Sequence, residues 1–212
     1  MARLLDIRTL ALTIPGLLIA FSFHEYAHAR AATALGDDTP RLAGRLTLDP
    51  MAHLDPIGIL LLLVAGFGWA KPVPINPLRL RGNMRRSSML VALAGPATNL
   101  VLAFVFYLLT GIVIRVAPNL SPNVHDLLVL AAGLNVALAV FNLLPIPPLD
   151  GSWVLRALLP WEAARRYDEL QRMGPVLLLI LVATGGVSLI LSPAVSFVNS
   201  LIATAAFAIA WL

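Results

Sequence analysis

The chain has 212 residues, 59% hydrophobic and only 12% charged, with a mean hydropathy of +0.86. Soluble domains carry about 25% charged residues, so the composition excludes an ordinary soluble enzyme and indicates an all-α polytopic membrane protein. Cysteine is absent, which excludes disulfides and thiolate metal sites. The net charge of +4 does not indicate a nucleic-acid partner, because the arginines flank apolar runs and form no basic helix or aromatic-interleaved patch.

In chain order, a short mixed start with Arg3 and Arg8 leads into an apolar run from Thr9. The first helix is expected from about Ile7 to Leu35, stopping before Gly36-Asp37-Asp38-Thr39-Pro40. Inside it, Phe23-His24-Glu25-Tyr26-Ala27-His28 contains H-E-x-x-H. His24 is expected about 24 Å along the axis at 1.5 Å per residue, near the exit face of the membrane. A cleavable leader ending near Ala27-His28-Ala29 is set aside, because cleavage there would discard this motif. Next, Arg45-Leu46-Thr47-Leu48 alternates as a short strand does, and Asp49-Pro50 and Asp55-Pro56 read as turns. Ile57–Ala70 is apolar but short for a span, which suits a re-entrant segment. Lys71–Pro77, with Pro72, Pro74 and Pro77, is expected to be an extended loop.

Ser87–Ile114 and Leu127–Leu144 are predicted spans, separated by a loop with Arg115, His125 and Asp126. Arg156–Arg172 reads as a polar interfacial helix, and Met173–Leu212 as two spans joined at Leu191-Ser192-Pro193. The expectation is thus about five full transmembrane helices, one re-entrant or partial segment and a small strand element. They form a single domain over residues 1–212, with its motifs in residues 7–158 and a C-terminal helical hairpin in 173–212.

Positions i and i+4 of a helix share a face, with Cβ atoms about 5–6 Å apart, so His24 and His28 can hold one zinc ion. A catalytic zinc takes a third protein ligand and leaves a position open for water. Asp150, His53, Asp49, Asp55 and His125 are candidates. Asp150 is preferred because it follows a proline-broken helix end, where irregular backbone can line a cavity, and Gly151 lets the chain turn beside it. Glu25 is then the general base for the attacking water. If Ile57–Ala70 dips and returns, His28 and Asp150 share a side, and Arg30 to Arg45, Lys71 to Arg86 and Arg156 to Arg172 mark that side as cytoplasmic. Asn142 lies two turns before Asp150 and is a candidate to hold substrate, with His53 a weaker one in the cleft. An edge formed by Arg45–Leu48 with Ile57–Ala70 could pair with an unwound substrate.

H-E-Y-A-H, Gly44-Arg45-Leu46-Thr47-Leu48-Asp49-Pro50, Gly68-Trp69-Ala70-Lys71-Pro72-Val73-Pro74, Ala94-Gly95-Pro96-Ala97-Thr98-Asn99 and Asn142-Leu143-Leu144-Pro145-Ile146-Pro147-Pro148-Leu149-Asp150-Gly151 together resemble the site-2 protease family of intramembrane zinc metalloproteases. The resemblance covers nearly the whole chain and is to the minimal form, without a PDZ or nucleotide-binding domain. It implies one Zn2+ per chain held by His24, His28 and Asp150, with Glu25 catalytic and Asn142 holding substrate. The implied partners are the lipid bilayer and a transmembrane protein substrate cut inside it, in a bacterial or archaeal cell membrane. His53 matches a recurrent histidine of the family. The residues by themselves also permit an ion-conducting membrane protein, or a catalytically inactive scaffold that keeps its zinc.

Overall fold

A computed structural model describes residues 7–58 and 68–212. Helix α1 (Ile7–Ala34) is followed by two single-turn helices, α2 (Thr39–Leu42) and α3 (Pro50–His53), each with proline in its first turn. Then come α4 (Met84–Val116), α5 (Pro122–Asn142), α6 (Asp150–Leu158), α7 (Trp161–Gln171), α8 (Gly174–Ala183) and α9 (Gly186–Ala210). Four of these, α1, α4, α5 and α9, are long and apolar enough to cross a membrane, and the chain is an integral membrane protein.

Small residues let the spans approach. Ala20, Ala29, Ala103, Ala132 and Ala139 are fully buried. Gly16 of α1 faces Ala131 of α5 so closely that a Cβ there would lie 3.2 Å from its Cα. In lipid, where apolar burial gives no net drive between helices, such close packing and interhelical hydrogen bonds hold the bundle. α9 runs parallel to α4, fastened by Tyr107 Oη to Asn199 Oδ1 at 2.9 Å and Arg115 Nη1 to the Ala210 carbonyl at 3.0 Å. At that same end, Arg8 of α1 donates to Asn123 and Asp126 of α5, both at 3.0 Å.

The opposite end gathers the connections. The Arg81 N–H donates to the Leu35 carbonyl at 2.7 Å, so the end of α1 and the approach to α4 lie side by side. Leu54 and Ala70 form an isolated antiparallel bridge, and the Lys71 N–H donates to the His53 carbonyl at 2.8 Å. The chain therefore leaves and rejoins the bundle at one end, as a dip requires. Most of the re-entrant segment expected at Ile57–Ala70 lies outside the described residues.

Three expectations are corrected. Residues 45–49 are bend and loop, not a strand, because Arg45 turns its guanidinium onto the Lys71 carbonyl and Asp49 caps α3 through the Met51 N–H. The proposed pairing edge is therefore absent at Arg45–Leu48. The spans number four among the described helices, since α8 has 10 residues, about 15 Å of helix against a hydrocarbon core of about 30 Å. The last break falls at Gly185, with φ of 72°, and not at Pro193, which lies inside α9. A left-handed glycine ends a helix, whereas a membrane helix can absorb a proline; here the Ser192 hydroxyl back-bonds to the Ser188 carbonyl at 2.6 Å.

Candidate metal centre

His24 and His28 lie one turn apart on α1, both buried, with rings edge-on at 4.6 Å between centroids. Their Nε2 atoms are 3.0 Å apart. Asp150, the first residue of α6, places Oδ2 at 3.2 Å from each of them. The proton positions decide what this triangle is. His28 Nδ1 is 2.8 Å from the Val91 carbonyl, which can only accept, so the Nδ1 carries the proton. His24 Nδ1 is 2.5 Å from Asn99 Oδ1, and the amide of Asn99 points the other way, donating Nδ2 to the Ala20 carbonyl at 3.0 Å. In the neutral imidazoles both Nε2 atoms then present lone pairs, and the buried Asp150 Oδ2 finds no hydrogen-bond donor.

Three lone pairs converging at 3.0–3.2 Å repel unless a cation lies among them. Tetrahedral zinc with bonds of about 2.0–2.1 Å sets its ligands roughly 3.3 Å apart, so the donor set fits that ion in spacing and chemistry. Gly95 of α4 backs the triangle. A Cβ on it would come within 2.4 Å of His28 Nε2 and 2.7 Å of His24 Nε2. α4 thus crosses α1 at Gly95, directly onto the two imidazoles.

Asp150 reaches this point because the chain between α5 and α6 is tightly seated. A Cβ on Gly151 would lie 2.2 Å from the Leu143 carbonyl oxygen, which is backbone and cannot move aside. Ser152 Oγ donates to the Leu149 carbonyl at 2.6 Å, and Tyr167 Oη of α7 donates to the Pro145 carbonyl at 2.9 Å. The Arg156–Asp168 ion pair joins α6 to α7, with two contacts of 2.5 and 2.8 Å.

Glu25 is nearly buried, and its Oε2 accepts the Val73 N–H at 3.2 Å. Val73 belongs to an extended strap that Arg45 and His53 grip through the Lys71 backbone. Further along, Asp37 receives the Asn76 N–H at 2.6 Å and the Thr39 N–H and Oγ1 at 3.0 and 2.5 Å. Burial alone would push the Asp37 carboxyl up, but these donors outweigh it and hold the group below its usual value of 3.8. A depressed folded value means the contribution is present above about pH 4 and is lost as pH falls through that folded value. Asp37→Asn is expected to cost about 1–3 kcal/mol near neutrality, because buried donors lose an acceptor. The gap between variant and wild type should narrow in acid. Unfolding midpoints from pH 7 downward check this.

Of the other residues singled out by the sequence, none joins the triangle among the described groups. His53 is fully buried with Nε2 at 2.7 Å from the Thr47 carbonyl. Asp49 and Asp55 accept from nearby backbone N–H groups, and His125 lies near the start of α5 at the far end. Asn142 is the last residue of α5, half-buried, and donates Nδ2 to the Leu138 carbonyl at 3.0 Å. The contacts of Val73 with Glu25 and of Asn99 with His24 do not follow from the sequence. The lone amide of Asn99 inside an uncharged span marks it as needing a partner, but the sequence does not say which group it meets.

A family model described as Peptidase family M50 matches residues 111–184. The chain is 39% identical over 181 residues to "Putative zinc metalloprotease YwhC" of Bacillus subtilis, covering 84% of this chain and 82% of that one. It is 32% identical over 176 residues to "Putative zinc metalloprotease Rip2" of Mycolicibacterium smegmatis, covering 82% and 67%. A shorter stretch of 68 residues is 43% identical to "Putative zinc metalloprotease MJ0611" of Methanocaldococcus jannaschii, covering 31% and 32%. No solved structure matches the chain. Identity at this level, sustained over most of both chains in the Bacillus comparison, means that the chain belongs to peptidase family M50, the site-2 protease family.

Proposed function

We propose that the protein is a zinc endopeptidase that hydrolyses peptide bonds of transmembrane-helix substrates within the bilayer of a bacterial or archaeal cell membrane, near its cytoplasmic face. The observation that carries this is the meeting of His24, His28 and Asp150 at 3.0–3.2 Å beside Glu25, on helices that can cross a membrane. His24 Nε2, His28 Nε2 and Asp150 Oδ2 would hold the zinc, one ion per chain. Zinc bound there supplies Lewis-acid polarisation and lowers the pKa of water.

The remaining work falls to the chain. Glu25 Oε2 is occupied by the Val73 N–H, so the attacking water gives its proton to Oε1. Glu25 then passes that proton to the leaving amine. A helix in lipid has every backbone group paired, so the substrate must unwind locally before its carbonyl can be attacked. Asn142 at the end of α5 is proposed to bind the freed substrate backbone, through the amide oxygen that its contact with Leu138 leaves free of that bond. His53 is proposed to shape the cleft by holding the strap. The cytoplasmic side is favoured because the connections at the site end carry Arg41, Arg45, Lys71, Arg81, Arg85 and Arg86.

The test is cleavage of a helical substrate co-reconstituted with the protein in vesicles, together with zinc content. Wild type should cut, stop on chelation and recover with zinc. Asp150→Ala should lose zinc and cutting together. A wild type that holds zinc and cuts no membrane substrate would favour the inactive scaffold.

A further inference from the structure

Two buried amides lie behind the metal centre, and neither touches the shared point of the triangle. Asn99 of α4 and Asn135 of α5 are both fully buried at membrane depth, where an unpaired amide is costly. Their hydrogen bonds run in one direction only. Asn135 Nδ2 donates to the Ala131 carbonyl at 2.8 Å, which turns Asn135 Oδ1 toward Asn99. Asn99 Nδ2 donates to that oxygen at 2.8 Å and to the Ala20 carbonyl at 3.0 Å. Both amide hydrogens of Asn99 are then used, and its Oδ1 faces His24 Nδ1 at 2.5 Å. Backbone carbonyls cannot donate, so they set the sense of the whole chain. Reversing Asn99 would bring its oxygen against two other oxygens.

We infer that Asn99, anchored by Asn135, is a positioning residue for the metal centre: the amide chain holds His24 with its proton on Nδ1, so that Nε2 is permanently available to the ion. This inference rests on the metal reading above. It also gives the chain a geometric role, since Ala20 is on α1, Asn99 on α4 and Asn135 on α5. The tautomer is correct only while these three spans stay in register. Partners of this kind on metal-bound histidines are typically worth 10–100-fold in metal affinity.

The experiment measures zinc affinity by chelator competition on full-length detergent-solubilised protein, with the His24 tautomer read by 15N NMR of the metal-free form. Asn99→Leu, which has similar bulk and no acceptor, should weaken zinc binding by about 10–100-fold. Asn99→Asp keeps an acceptor on Nδ1 and should recover most of that affinity, while its second oxygen, set against Asn135 Oδ1 and the Ala20 carbonyl, should lower the unfolding midpoint. Asn135→Leu should produce a smaller loss of affinity, and none when Asn99 is already Asp, since either carboxylate oxygen can accept from His24 Nδ1. A purely structural role would lower the unfolding midpoint in Asn99→Leu and leave zinc affinity unmoved. That result, or a metal-free wild type with the His24 proton on Nε2, overturns the inference. If Asn99→Leu fails to fold, the wild-type tautomer and the Asn135 pair decide it. A wild type that binds no zinc at all would instead refute the metal reading.

Discussion

Replacing Glu25 by Gln is expected to reduce cleavage by about 10²–10⁴-fold while zinc stays bound, which is the range by which a positioned general base accelerates proton transfer. The substitution is close to isosteric. Glu25 Oε2 accepts the Val73 N–H at 3.2 Å, and the carbonyl oxygen of Gln can accept the same donor, so the strap should keep its place. What disappears is the group able to take a proton from water. Glu25 is not among the three residues that converge on the ion site, so the ligand set is intact in the variant. Zinc stoichiometry and single-turnover cleavage should therefore separate, one near wild type and the other nearly lost. Equal cutting by variant and wild type would mean that the proton goes elsewhere and that the base has been misassigned.

Gly95→Ala is expected to weaken zinc binding at least tenfold, a shift of about 1.4 kcal/mol or more. The new Cβ would lie 2.4 Å from His28 Nε2 and 2.7 Å from His24 Nε2. Ring ends normally swing away from such an intrusion at small cost. These rings cannot do so freely, because His28 is held to the Val91 carbonyl and His24 to Asn99 through their Nδ1 atoms. Either the methyl displaces the ion or the imidazoles leave their partners, and both outcomes weaken binding. Alanine favours helix over glycine by about 1 kcal/mol, so α4 itself should form, but imidazoles pushed off the Val91 carbonyl and Asn99 lose buried hydrogen bonds, and the unfolding midpoint of the metal-free protein should fall. Zinc titration and thermal unfolding of the same preparation check both halves. Wild-type affinity in the variant would show that α4 can retreat from α1 and that the close approach is not required.

What the sequence by itself determined is what depends on neighbours along the chain. The i, i+4 spacing placed His24 and His28 on one face of α1, and apolar runs located α1 and α4 to within three residues and α5 to within five. Local chemistry also marked the break after Asn142; Gly151, expected to turn the chain, instead lies in the first turn of α6 and is required by its close approach to the Leu143 carbonyl. The tertiary structure decided what depends on residues far apart in sequence. The lone pairs of His24 and His28 meet Asp150 only because α6 is seated under the end of α5, and Gly95 matters only because α4 crosses α1 at that turn. The same reason explains the misread segments. Arg45–Leu48 alternates as a strand would, but a strand needs a partner, and the guanidinium of Arg45 is committed to the Lys71 carbonyl instead. Pro193 reads as a breaker, yet lipid leaves the backbone no water to turn to, so the helix continues through it and ends its predecessor at Gly185, where left-handed φ costs nothing.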